Sequence, residues 1–167
     1  MQSLRSRLRL LAEWVTAILF VAMFAAFLLQ VFTRYVLNSP VAWTQEFVLI
    51  VYIWIVFWCG AFLLREREHI TFDMVFVSLP PGPRRVLAVI LTLITLAAFV
   101  AALPGTVDYI SFMKIEKSPV MGIRFDLLYS IFAVFAIAVA VGALMRLRRL
   151  LGRSWQDEFK TEGEIEP

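Results

Sequence analysis

Four stretches of this 167-residue chain carry no charged side chain: Trp14–Thr33, Phe47–Leu64, Val86–Val107 and Leu127–Met145, of 20, 18, 22 and 19 residues. As helices at 1.5 Å per residue each is about 27–33 Å long, close to the roughly 30 Å hydrocarbon thickness of a bilayer. Lipid offers the backbone no hydrogen-bonding partners, so a spanning segment must be a helix or part of a closed barrel. Barrel strands are about ten residues long and alternate in polarity, which these runs do not. Composition agrees, with 61% hydrophobic and 17% charged residues, against about half and about a quarter in soluble domains. The expected fold is an all-α integral membrane protein, a single membrane domain with four transmembrane helices over about 13–33, 41–64, 85–107 and 126–146.

Orientation follows from the 16 Lys and Arg residues. Twelve of them lie in the N-terminal segment (Arg5, Arg7, Arg9), the middle loop (Arg65, Arg67, Arg84, Arg85) and the tail 147–167 with its approach (Arg146, Arg148, Arg149, Arg153, Lys160). Four lie on the opposite side, Arg34 in the first loop and Lys114, Lys117 and Arg124 in the third. The positive-inside rule therefore predicts both termini and the middle loop in the cytoplasm. The basic balance reads as topology and not as nucleic-acid binding, because no basic stripe interleaves with stacking aromatics. The first span, longer than a signal-peptide core and without a small-residue cleavage site, reads as a retained anchor.

Between the first two spans, Asn38-Ser39-Pro40 predicts a turn, with Ser39 as N-cap and Pro40 at the first position of the second helix. Trp43 and Glu46 then fall in its first two turns, at the outer interface. Glu46 reads as an acid complementing a helix start, or as a partner for Arg34 or for another subunit. On the second span Phe47, Ile50, Val51, Trp54 and Trp58 share one face, which suits either lipid or a partner protein. Cys59-Gly60-Ala61 supplies small residues for close helix approach. A single cysteine builds neither an internal disulfide nor a structural zinc site.

In the middle loop Phe72, Val75, Phe76 and Leu79 recur at helical spacing among Glu66, Arg67, Glu68, His69 and Asp73. This predicts a short interfacial amphipathic helix over about 68–79, between the second and third spans, ended by Pro80-Pro81-Gly82-Pro83. His69 and Asp73, one turn apart, can hydrogen-bond and orient that helix. In the third loop the residues 107–115 extend the third span, and Ser118-Pro119 with Gly122 marks a turn within a solvated, mixed-charge connector.

A pump or channel needs polar or charged groups near the midplane, and a transporter site is commonly flagged by paired Gly/Pro-broken helices. The spans offer only Thr16, Gln30, Tyr52, Thr92, Thr95, Ser130 and their like. Haem ligation would call for facing histidines, and there is one histidine. The residues point to a non-catalytic membrane subunit that works with a partner, without cofactor or metal. A stand-alone four-helix carrier and an anchor or assembly subunit of an unrelated complex are the alternatives.

Arg34-Tyr35-Val36 followed by Trp43-Thr44-Gln45-Glu46 resembles the R-Y-x(n)-W-x-E-E pattern of the small, DctQ-like membrane subunit of tripartite ATP-independent periplasmic (TRAP) transporters, with Gln45 in place of the first acid. Gly60-Ala61 and Arg65 through His69-Ile70-Thr71-Phe72-Asp73 resemble its G-A…R-x(n)-H-I-x-(V/F)-D segment. Ser118-Pro119-Val120-Met121-Gly122-Ile123, leading to Tyr129, is similar to S-P-A-L-G-I-P…Y, with Arg124 in place of the proline. Each motif is short, but their order and spacing agree from about Phe32 to Tyr129.

The resemblance implies a subunit of a secondary uptake system of the bacterial inner membrane. In such a system a periplasmic binding protein delivers an organic anion such as a carboxylate. A large multi-span subunit carries the substrate and sodium sites, and the small subunit braces it, in contact with membrane lipids. It marks Arg34, Trp43, Glu46, Trp54, Trp58, Arg65, His69 and Asp73 as structural or subunit-interface positions.

Overall fold

The computed structural model describes residues 2–63 and 80–152. They form four long helices, α1 (Gln2–Tyr35), α2 (Ala42–Trp58), α3 (Pro81–Phe112) and α4 (Phe125–Leu151). All four are long and apolar enough to cross a bilayer, α2 together with the π-helical turn Cys59–Leu63 that continues it. Among the described residues there is no β-strand, only one antiparallel bridge between Lys117 and Arg124. The interfacial helix expected over about 68–79 lies outside the described residues.

Chain contacts divide the protein into two compact units, one of Met1–Leu64 with Gly105–Phe135 and the other of Arg65–Pro104 with Ala136–Pro167. In the first unit α1 and α2 form a helical hairpin. The start of α2 differs from the expected cap. Ser39 donates its N–H back to the Thr33 carbonyl at 3.0 Å, and Asn38 adopts a left-handed φ of 49°, so both residues close α1. The chain is extended at Val41, the N-cap, and α2 begins at Ala42, beyond Pro40. Thr44, fully buried, turns its hydroxyl onto the Val41 carbonyl at 2.7 Å. The helix thus starts from an extended residue with no capping side chain.

The inner face of α2 reaches α4 through an aromatic cluster. Phe57 lies 5.2 Å from Phe132 and 5.3 Å from Phe135, centroid to centroid. Gly60 sits under the Phe135 ring so closely that a Cβ there would stand 2.7 Å from Cε2. The π-helical turn carries this glycine, which fits the usual use of such turns to re-aim a helix face. Tyr109 of α3 meets Tyr129 of α4 at 6.1 Å.

In the second unit the beginning of α3 and the end of α4 pack through Ala88 and Leu150, with Leu87 and Val89 beside them. Pro80-Pro81-Gly82-Pro83 opens α3, since the first helical N–H groups have no intrahelical partner to lose. Arg85 donates from Nε to the Leu150 carbonyl at 2.8 Å and from Nη2 to Leu151 at 3.3 Å. A cation thus satisfies carbonyls that the end of α4 leaves open.

Much of the apolar surface is exposed. Leu11, Trp14, Ile18, Val21, Leu28 and Phe32 of α1 are each more than half exposed. In water this would be costly, but lipid tails are as apolar as leucine, so exposure there carries no hydrophobic penalty.

Candidate functional site

Four hydroxyls of the spans are turned onto their own helices. Thr16 donates to the Ala12 carbonyl, Thr92 to Ala88, Thr95 to Leu91 and Ser130 to Leu127, at 2.7–3.0 Å. Such back-bonding satisfies a hydroxyl within its own helix, and Thr16 among the four also meets another segment, its Oγ1 lying 3.9 Å from Cys59 Sγ. Among the described residues no group of three or more His, Cys, Asp or Glu could hold a metal ion. The notable polar construction is at the start of α2.

There Glu46 accepts two backbone N–H groups of the α3–α4 turn, Val120 on Oε1 and Met121 on Oε2, each at 2.8 Å. One helical turn into α2, its side chain can grip both adjacent amides, and charge-assisted bonds of this kind are the stronger class. The turn is itself closed. Ser118 N–H donates to the Ile123 carbonyl at 2.8 Å, Ile123 N–H to Ser118 Oγ at 3.1 Å, and Gly122 N–H to the Ser118 carbonyl at 3.1 Å. Gly122 has φ +66°, where a side chain would be strained. Below it, Arg124 grips Asp126 at 3.0 and 2.6 Å, placing an acid in the first turn of α4. The mixed-charge connector is therefore an ordered hairpin fastened to α2.

Arg34, in the last turn of α1, is exposed and stands 5.9 Å over the Tyr35 ring. Among the described residues no ion pair joins it to Glu46, whose two oxygens both serve the turn. Trp43 is exposed and packs edge-on to Phe47 at 6.1 Å. Trp54 is half-buried. Trp58 donates its indole N–H to the Ala12 carbonyl of α1 at 3.3 Å and packs at a tilt against Phe62, 4.6 Å between ring centroids. The expected choice for this face, lipid or a partner protein, thus omitted the third surface available to Trp58, the chain's own α1. Arg65, His69 and Asp73 lie outside the described residues.

Sequence reasoning isolated Glu46 and the Ser118–Ile123 turn but did not join them. Local spacing carries no signal for a contact across 74 residues. Phe135, which closes over Gly60, was likewise indistinguishable from the other apolar residues of its span.

Fold and site together define a multi-pass helical membrane protein whose polar groups hold its own segments together. Within that class the chain belongs to the family described as tripartite ATP-independent periplasmic transporters, DctQ component, which it matches over residues 23–153. It is a TRAP small subunit. It is similar to a protein named as a TRAP transporter small permease of Haemophilus influenzae, at 21% identity over 126 residues, 75% of this chain and 76% of that one. It also resembles part of the sialic acid TRAP transporter permease protein SiaT of Haemophilus influenzae, at 27% identity over 75 residues. Those residues are 45% of this chain and 12% of that much longer protein.

Proposed function

We propose that this subunit braces a large multi-span transport subunit in the bacterial inner membrane, during sodium-coupled uptake of an organic anion delivered by a periplasmic binding protein. The observation that carries this reading is the set of four uncharged runs, in which Thr16, Thr92, Thr95 and Ser130 donate to their own helix backbones. Such spans support packing and offer no route for an ion or a carboxylate. Two further observations favour a large partner. A segment similar to this chain is carried inside one long permease polypeptide. The exposed row Leu11, Trp14, Ile18, Val21 on α1 continues through Leu28 and Phe32 at spacings of three, four or seven residues, as a helix-docking face does. The basic asymmetry supports cytoplasmic termini and a periplasmic α3–α4 turn.

In this reading Glu46 and Trp58 are structural, whereas Arg34, Trp43 and Trp54 are available to a partner. Arg65, His69 and Asp73 would organise the middle loop. The chain expressed with its partner genes should copurify in detergent with a much larger membrane protein. Reconstituted alone, it should move no solute into proteoliposomes. Transport by the purified chain would overturn the proposal, and copurification with a redox complex would favour an anchor.

A further inference from the structure

Charge is distributed unevenly in the second unit. Its described residues, 80–104 and 136–152, hold five arginines, Arg84, Arg85, Arg146, Arg148 and Arg149, and no acidic residue. All five are near the paired ends of α3 and α4, around the Ala88–Leu150 contact. Arg85 has a structural task on the carbonyls of Leu150 and Leu151. Arg146 has none of that kind. It is the first charge after the 19 uncharged residues Leu127–Met145, half-buried, one turn before the fully buried Leu150. Its Nε is buried and meets no hydrogen-bond acceptor among the described residues.

A guanidinium is never deprotonated in a protein, so burial cannot be relieved by losing the proton. A cation at membrane depth pairs with an anion or reaches toward the headgroups. The surroundings indicate which anion. Val86, Ile90, Leu144, Met145 and Leu151, on the same two helix ends, are exposed apolar residues. A ligand that fits both features has a phosphate for the arginines and acyl chains for these neighbours. We infer that the α3–α4 end is a binding site for an anionic phospholipid, with the Arg146 guanidinium on its phosphodiester and Arg148 adding positive potential. Arginine suits this ligand because its planar fork offers two parallel donors to phosphate oxygens. Basic pockets between helices at the cytoplasmic side are where acidic lipids bind, and the orientation proposed above puts this end there. The inference rests on the membrane placement of the helices and on that proposed orientation, and does not depend on what the transporter carries.

The test uses the full chain purified in neutral detergent, titrated with phosphatidylglycerol or phosphatidylcholine of identical acyl chains, with binding read by native mass spectrometry. Phosphatidylglycerol should bind the wild type at least about fivefold more tightly, since one basic group at a membrane surface contributes about that factor. R146Q should lose most of the preference, and R146K should keep the charge but recover it only in part. Thermal melts of each variant establish that it is folded. If R146Q does not fold, the wild-type comparison still decides, because equal affinity for the two lipids overturns the inference. Displacement of phosphatidylglycerol by millimolar inorganic phosphate would make the ligand a free phosphate and overturn the lipid. Retained lipid preference in folded R146Q would also overturn it.

Discussion

Glu46 accepts the backbone N–H of Met121 at 2.8 Å across 75 residues of chain. With the matching bond from Val120, this ties the first turns of α2 to the turn that precedes α4. A carboxylate suits the task because both of its oxygens are acceptors. Glu46→Gln tests this directly, since the amide places an N–H against one of the two donors. In cells carrying the whole transporter, Glu46→Gln and Glu46→Ala should lower complex assembly and uptake together. Uptake lost with assembly intact would mean that Glu46 acts beyond the chain's own turn.

The Gly60–Phe135 contact predicts an inversion of the usual helix preference. Alanine stabilises a helix over glycine by about 0.5–1 kcal/mol, and Gly105, with open space around its Cβ position, should follow that trend. Gly60→Ala should instead destabilise by about 1–3 kcal/mol, as overpacking does, because Phe57 and Phe132 flank the ring that must move. Thermal melts of both variants in one detergent make the comparison. Gly60→Ala combined with Phe135→Leu should recover part of the loss.

The Ala12 carbonyl accepts from both Thr16 and Trp58. Trp58→Phe keeps a ring against Phe62 and removes the N–H, so it should cost about 0.5–1.5 kcal/mol. Thr16→Val should cost less while Trp58 remains. The double variant should exceed the sum by no more than about 0.5 kcal/mol, since the Ala12 carbonyl keeps its helical bond from the Thr16 backbone N–H in every variant, and a double-mutant cycle on unfolding in detergent reads this directly.

Arg85 predicts a local effect. Arg85→Gln withdraws a cation from the Leu150 and Leu151 carbonyls, worth about 1 kcal/mol at a helix C-terminus. Hydrogen exchange should rise in the last turn of α4 and remain unchanged over Phe125–Phe135. A uniform rise would show that Arg85 supports the whole chain.

Much of the helical architecture was legible before any coordinates, because a membrane makes uncharged length nearly sufficient evidence for a helix. The Ser118–Gly122 turn was legible too, from residues with intrinsic turn chemistry. One expectation gave way to backbone bonding. Ser39 was expected to cap α2 and instead closes α1, because its N–H found the Thr33 carbonyl. The third loop is largely exposed, as expected of a solvated connector, and is in addition fastened to α2 by Glu46. Residue type states what a group can bond, while the three-dimensional path decides which partner arrives.

The sequence by itself determined that this chain lies in a membrane, in four helices, each with one long uncharged run. That outcome depends on composition over 18 to 22 residues, and lipid enforces it whatever the helices touch. Only the tertiary structure decided that Glu46 holds the 118–123 turn, that Trp58 serves α1, and that Gly60 must stay small beneath Phe135. Those are contacts between distant segments of uniformly apolar helices, where one leucine-rich face reads much like another. The few polar atoms and the one missing side chain select the pairing, and their effect exists only once the helices have met.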